Sequence, residues 1–156
     1  MARTDLQAQR LALAVPALLL GGAYVSQYGF DLYPCEMCWW QRWPHFAALA
    51  LAGLSFVLPF KRPLVALAAV AVLISGLIGV FHAGVEYDWW EGITGCAIPT
   101  ATAGGDALDA ILAQPLIRCD QPQWTLAGIS LAGFNALFSI AGAMAVFALL
   151  RRKAGA

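Results

Sequence analysis

The sequence predicts an all-α integral membrane protein, a bundle of four transmembrane helices with a long outer loop that carries a short amphipathic helix. Three observations lead there. Of the 156 residues, 61% are hydrophobic and 12% are charged, whereas a soluble domain carries about a quarter of its residues charged. The apolar residues fall into four long blocks, Leu11 to Phe30, Trp43 to Phe60, Leu64 to Val85 and Gln121 to Leu150, that contain no Asp, Glu, Lys or Arg. Charges of opposite sign gather at opposite ends of those blocks.

Each block is long enough to cross a bilayer core about 30 Å thick, which takes about 20 helical residues. In lipid only helices and closed barrels satisfy their backbone groups, and the blocks lack the alternation of barrel strands. The first block, 11–30, is too long for a signal-peptide core, and Gln27 to Asp31 offers no small-residue cleavage site. It is expected to remain as the first span. The others are expected at about 40–60, 64–85 and 126–150, joined by outer loops 31–39 and 86–125 in a single domain, 1–156.

Seven of the nine basic residues orient the bundle: Arg3, Arg10, Lys61, Arg62, Arg151, Arg152 and Lys153. They flank the spans on one side in short segments, which the positive-inside rule places in the cytoplasm with both termini. The opposite face receives Asp31, Glu36, Glu86, Asp88, Glu91, Asp106, Asp109 and Asp120. All six Trp and all four Tyr also lie near it, as in an interfacial aromatic belt. The net charge of zero hides this segregation, and nothing in the sequence points to a nucleic-acid partner.

The cysteines follow the same partition. Cys35 and Cys38 lie in the first outer connection, Cys96 and Cys119 in the second, and none lies in a span or on the basic side. Disulfides persist outside the cytosol, so four thiols confined to that face read as two disulfides. Four cysteines allow three connectivities, and composition does not choose among them.

The first outer segment is Tyr33-Pro34-Cys35-Glu36-Met37-Cys38-Trp39-Trp40-Gln41-Arg42. Cysteines three apart at a helix start can close a small reactive disulfide, and the helix N-terminus favours a thiolate. Arg42, one turn beyond Cys38, can stabilise that thiolate and donate to a quinone carbonyl. Trp39, Trp40 and Trp43 offer flat apolar surface at the same depth, or simply belong to the belt. Pro44 cannot donate to the Trp40 carbonyl, so the helix either starts near Trp43 or kinks there. Whether Cys38 and Arg42 share a face depends on which holds.

The second segment, 86–124, opens with the aromatic, acidic run Glu86 to Gly92. Cys96 follows in a Gly- and Pro-rich stretch. Leu108, Ile111, Leu112 and Leu116 then recur at helical spacing, the short helix expected on the outer surface. Cys119 comes next, between Arg118 and Asp120. A Gly-flanked Cys96 suits a loop that presents its sulfur to another protein, while an inert staple across the loop is the plainer alternative. His82, near the outer end of the third span, is an ionisable group inside a membrane segment and hence a functional candidate. No metal is expected, because the second cysteine pair lacks the Cys-x-x-Cys spacing a four-thiolate zinc site uses.

These residues resemble the DsbB family of disulfide bond formation proteins along nearly the whole chain. The likeness rests on Pro34-Cys35-Glu36-Met37-Cys38-Trp39-Trp40-Gln41-Arg42, on Phe81-His82-Ala83-Gly84-Val85-Glu86 with Trp89-Trp90-Glu91, and on Arg118-Cys119-Asp120. Met37 and Trp40 stand where Leu and Tyr are frequent in the family. The vitamin K epoxide reductase type has its loop cysteines before the Cys-x-x-Cys, the reverse of this order.

The resemblance implies a bacterial inner-membrane protein with its cysteines in the periplasm. Cys96 and Cys119 would form the loop disulfide that oxidises a DsbA-like thioredoxin-fold partner. Cys119 would exchange with Cys35, and Cys38 would face a quinone, ubiquinone or menaquinone, drawn from the membrane pool. Arg42 and His82 would hold that quinone. Two other readings compete: a structural membrane protein with inert disulfides, and a quinone-linked reductase of the vitamin K epoxide reductase type.

Overall fold

The computed structural model describes residues 3–93 and 117–152. The described residues form four long helices, α1 (Arg3–Gly29), α2 (Glu36–Val57), α3 (Lys61–Glu86) and α4 (Leu131–Arg151), with a two-stranded hairpin, β1 (Thr125–Leu126) and β2 (Ile129–Ser130), leading into α4. Three of them, α1, α3 and α4, are long and apolar enough to cross a membrane. The expected second span is not among these three. Its helix exists, but Gln41, Arg42, Pro44 and His45 interrupt its apolar run, and Gln41, Arg42 and His45 are buried inside the bundle. The surface helix expected around 106–114, and Cys96 with it, lie outside the described residues.

In the bundle α3 packs against α2 and α4, and α1 against the same two. Helices in lipid gain no hydrophobic drive from meeting, so close approach of small residues does much of the work. The core is built that way. Ala8 and Ala12 of α1, Ala48 and Ala52 of α2, Ala68 and Ala69 of α3 and Ala143 of α4 form one buried cluster with Val65, Val72 and Val146. Gly79 shows how near α3 and α4 come, since a Cβ there would lie 3.0 Å from the Ala132 carbonyl and 3.1 Å from the Ala136 nitrogen. Large apolar side chains point outward instead, among them Val57, Leu67, Leu77 and Leu137, the inside-out pattern expected where lipid is the solvent.

The end of the bundle away from Cys35 carries most of the basic residues. There Arg62, at the start of α3, pairs with Asp5 of α1 at 3.6 Å and donates to the Leu150 carbonyl of α4. A turn deeper, Gln9 donates to Ser55 at 3.0 Å and ties α1 to α2.

At the cysteine end, turns and aromatic rings fix the chain. Ala127 and Gly128 both have positive φ, 52° and 78°, as a two-residue hairpin turn demands. The Tyr87 hydroxyl donates to the Gly128 carbonyl and accepts from the Ser130 amide, clamping the hairpin to the end of α3. Beyond α3 the chain folds back. The Trp90 indole donates to the Phe81 carbonyl and stacks on the Phe81 ring, lying directly over Gly84. A Cβ at Gly84 would sit 2.0 Å from that indole, so only glycine fits.

Candidate functional site

Helix α2 begins on Cys35 itself. Cys35 is its N-cap, in extended conformation, and its sulfur accepts from the Cys38 amide at 3.3 Å, the position usually filled by a Ser or Asp oxygen. The helix runs unbroken from Glu36 to Val57 through Pro44, so Cys38 and Arg42 share a face one turn apart. The two sulfurs of the pair are 3.0 Å apart. Cys35 is buried, and Cys119 packs against it. Contacts with Cys119 and Cys38, together with burial, push the Cys35 thiol well above the ordinary range.

Arg42 is buried at 6% exposure in a lattice of its own. It donates to Gln27 Oε1 at 2.7 Å and to the Ala23 carbonyl at 3.3 Å. Its guanidinium also lies between the rings of Tyr24 and Trp39, 4.9 and 5.0 Å from their centroids. Such a held cation keeps its planar fork in one orientation.

His82 of α3 approaches the cysteine pair from the other side. Its Nε2 lies 3.6 Å from the Cys35 sulfur and 3.7 Å from Glu86 Oε1. Glu86 in turn accepts from Ser130, the N-cap of α4. Glu86 therefore both neighbours the site and anchors the entry to α4.

Behind His82 a polar network crosses α2, α3 and α4, and two backbone carbonyls set its direction. Gln41 Nε2 reaches the Met37 carbonyl at 3.2 Å and His82 Nδ1 at 2.8 Å. A carbonyl only accepts, so this nitrogen is the amide's donor end and His82 Nδ1 is an acceptor. The His82 proton then sits on Nε2, facing the Cys35 sulfur. Asn135 Nδ2 likewise reaches the Ser75 carbonyl at 3.2 Å and donates to Gln41 Oε1 at 2.8 Å. That leaves Asn135 Oδ1 to face His45 Nε2 at 2.9 Å.

The donor atoms of Cys35, His82 and Cys119 all lie within 4.8 Å of one another, near enough by distance alone for a metal ion. The network opposes it. A ring whose Nε2 carries the proton is a hydrogen-bond donor to sulfur, not a ligand.

Beside the cysteine pair a cavity of about 270 Å³ opens between the helices, near the lower end of the range for small-molecule sites, about 300 Å³. Cys35, Cys38, Arg42, His45 and His82 reach its wall, and Leu18, Leu19 and Phe138 give it an apolar side. Of the residues singled out in the sequence, Cys35, Cys38, Cys119, Arg42 and His82 thus come together, while Cys96 lies outside the described residues. Trp39, Trp40 and Trp43 do not wall the cavity, whereas Trp124 does: Trp39 holds Arg42, and Trp43 is 65% exposed. Asn135, Ser75 and Ser139, which complete the network, are not among the residues the sequence singles out. The available signal was a polar side chain inside an apolar span.

Comparison with known proteins finds relatives along most of the chain. The family model described as disulfide bond formation protein DsbB matches residues 7–149. Disulfide bond formation protein B of Alkalilimnicola ehrlichii is 29% identical, the alignment covering 92% of this chain and 93% of that protein. Its counterpart in a Polaromonas species is also 29% identical, over 92% of this chain and 89% of the relative. An uncharacterized protein of Rickettsia prowazekii is 22% identical over 82% of this chain and 77% of its own. No solved structure matches significantly.

Proposed function

The chain belongs to the DsbB family of disulfide-bond-forming membrane proteins, and from that premise we propose that it is a protein thiol–quinone oxidoreductase that reoxidises a DsbA-like dithiol protein. One observation carries the proposal. The Cys35 sulfur lies 3.0 Å from Cys38 and within 4.8 Å of Cys119, so a single sulfur is within reach of both exchange partners.

In this reading all four long helices cross the bacterial inner membrane, with α2 as the polar fourth span and the cysteines on the periplasmic side. A thiolate of the partner attacks Cys96 of a Cys96–Cys119 disulfide and releases Cys119. Cys119 attacks Cys35 of the Cys35–Cys38 disulfide, and Cys38 leaves as the thiolate. The partner's second thiolate releases Cys96 and closes the partner's own disulfide. Cys96 then attacks Cys119 of the Cys119–Cys35 bond, which restores the loop disulfide and leaves Cys35 and Cys38 reduced, the pair whose two electrons a quinone would take. The helix N-terminus favours the Cys38 thiolate. The His82 N–H toward Cys35 stabilises charge on that sulfur during exchange.

The wall residues fit a quinone. Arg42 supplies fixed donors, and the apolar side suits a ring. A quinone bound there supplies the acceptor for two electrons and two protons. Arg42 would orient it beside the cysteine pair. Potentials fix the direction of flow.

In the Cys38→Ser variant quinone reduction should stop, while the Cys96–Cys119 loop disulfide stays able to form, identified by non-reducing digestion and mass spectrometry. A serine variant that still reduced quinone with a dithiol protein would remove Cys38 from its role.

A further inference from the structure

His45 is 3% exposed, lines the cavity, and presents two nitrogens in unlike situations. Nε2 is surrounded by groups that can only accept from it. Asn135 Oδ1, at 2.9 Å, is a carbonyl oxygen whose orientation the Ser75 carbonyl fixes through the other end of the amide. Ser75 Oγ, also at 2.9 Å, already donates its hydrogen to the Gln41 carbonyl at 2.8 Å. Ser139 donates to Asn135 Oδ1 at 3.0 Å. The proton of neutral His45 is therefore held on Nε2, and Nδ1 keeps a bare lone pair. That Nδ1 is shielded from water and has no hydrogen-bond partner among the described residues. A buried acceptor left unsatisfied is costly, and His45 is among the residues that line the cavity, so the imidazole ring beside it is a place where a ligand donor is wanted.

We propose that His45 selects the redox state of the ring held in the cavity, accepting a hydrogen bond at Nδ1 from a ring hydroxyl while offering nothing to a ring carbonyl. The inference rests on the quinone reading above and extends it. Arg42, rich in donors, serves either form, whereas His45 with its tautomer fixed serves only the hydroquinone. Asn135 acts as a positioning residue, since it fixes the tautomer without touching the ring. Preferential binding of the reduced ring makes the bound quinone a stronger oxidant than the free one, in the direction that favours disulfide formation.

The test uses the full-length oxidised protein, stripped of quinone, in detergent under anaerobic conditions. A short-tailed benzoquinone and its hydroquinone are titrated separately, following quenching of tryptophan fluorescence. The hydroquinone should bind about fivefold more tightly, the worth of roughly one hydrogen bond. His45→Leu should abolish that preference and leave quinone affinity within about twofold, and Asn135→Leu should diminish it.

A second readout needs no variant. The chain has two histidines, so ring-15N labelling isolates their signals. His45 should show the Nε2–H tautomer, and hydroquinone, not quinone, should shift its Nδ1. An Nδ1–H tautomer in the free protein, or equal affinity for the two rings in the wild type, would overturn the proposal while leaving the quinone reading intact. Failure of either ring to bind the folded protein would overturn the quinone reading and this one with it.

Discussion

His82 Nε2 stands 3.6 Å from the Cys35 sulfur while His82 Nδ1 accepts from Gln41 at 2.8 Å. The amide on one side of the ring thereby decides that the other side is a donor. A neutral histidine so fixed cannot take a proton from Cys35, but it can stabilise negative charge there. His82→Leu should slow exchange between Cys119 and Cys35 about tenfold, the weight of one charge-assisted hydrogen bond. Rapid-quench alkylation at each cysteine gives that rate, and an unchanged rate would make His82 a packing residue only.

Arg42 is held by Gln27, by the Ala23 carbonyl and by the rings of Tyr24 and Trp39. Arg42→Ala should raise the apparent KM for quinone tenfold or more, by about 1.4 kcal/mol of lost binding at the least, with a smaller effect on kcat. Arg42→Lys should rescue little, because an ammonium lacks the planar fork. Steady-state kinetics at saturating dithiol separates KM from kcat.

The Cys35 thiol is pushed up by its contacts with Cys119 and Cys38 and by burial. Its proton is therefore kept in the folded, reduced protein at pH values where an unfolded chain would already have lost it. The sign follows: this contribution to stability is complete below the ordinary thiol range and declines as pH rises above it. Alkylation of Cys35 in the reduced protein should stay slow through that range, and labelling as fast as that of a free thiol would contradict the burial.

Gly84 lies under the Trp90 indole, and Gly53 has nothing within 4 Å of its missing Cβ. Gly84→Ala should dislodge Trp90 and cost about 1–3 kcal/mol by overpacking. Gly53→Ala should be neutral or stabilising by up to about 1 kcal/mol, from helix propensity. Thermal unfolding in detergent, with tryptophan fluorescence as the probe, distinguishes the two.

Much of the candidate site was legible in the sequence because chemistry there travels with local spacing. Cys35, Cys38 and Arg42 lie on a single helix, so their relation needed only its continuity, and α2 supplies that through Pro44. The partition of charge and cysteine between opposite ends was equally plain. The network behind the site was not. Asn135 sits in a span with no charged residue, ninety-four positions from Gln41, and only packing decides that the two meet. For the same reason His45 reads in sequence as a neighbour of Arg42, while its contacts with Ser75 and Asn135 give it a distinct place. Polar residues buried at this site also lower the hydropathy of α2 at its cysteine end, so α2 is not among the three helices apolar enough to cross a membrane.

The central claim is that electrons entering at a partner's thiols leave through Cys38 to a quinone. The most direct measurement follows quinone absorbance in the purified, detergent-solubilised protein after addition of a reduced thioredoxin-like dithiol protein. The account predicts rapid loss of quinone that requires both the dithiol and Cys38. Well-folded, quinone-supplied protein that shows no turnover, or turnover unaffected by Cys38→Ser, would contradict it.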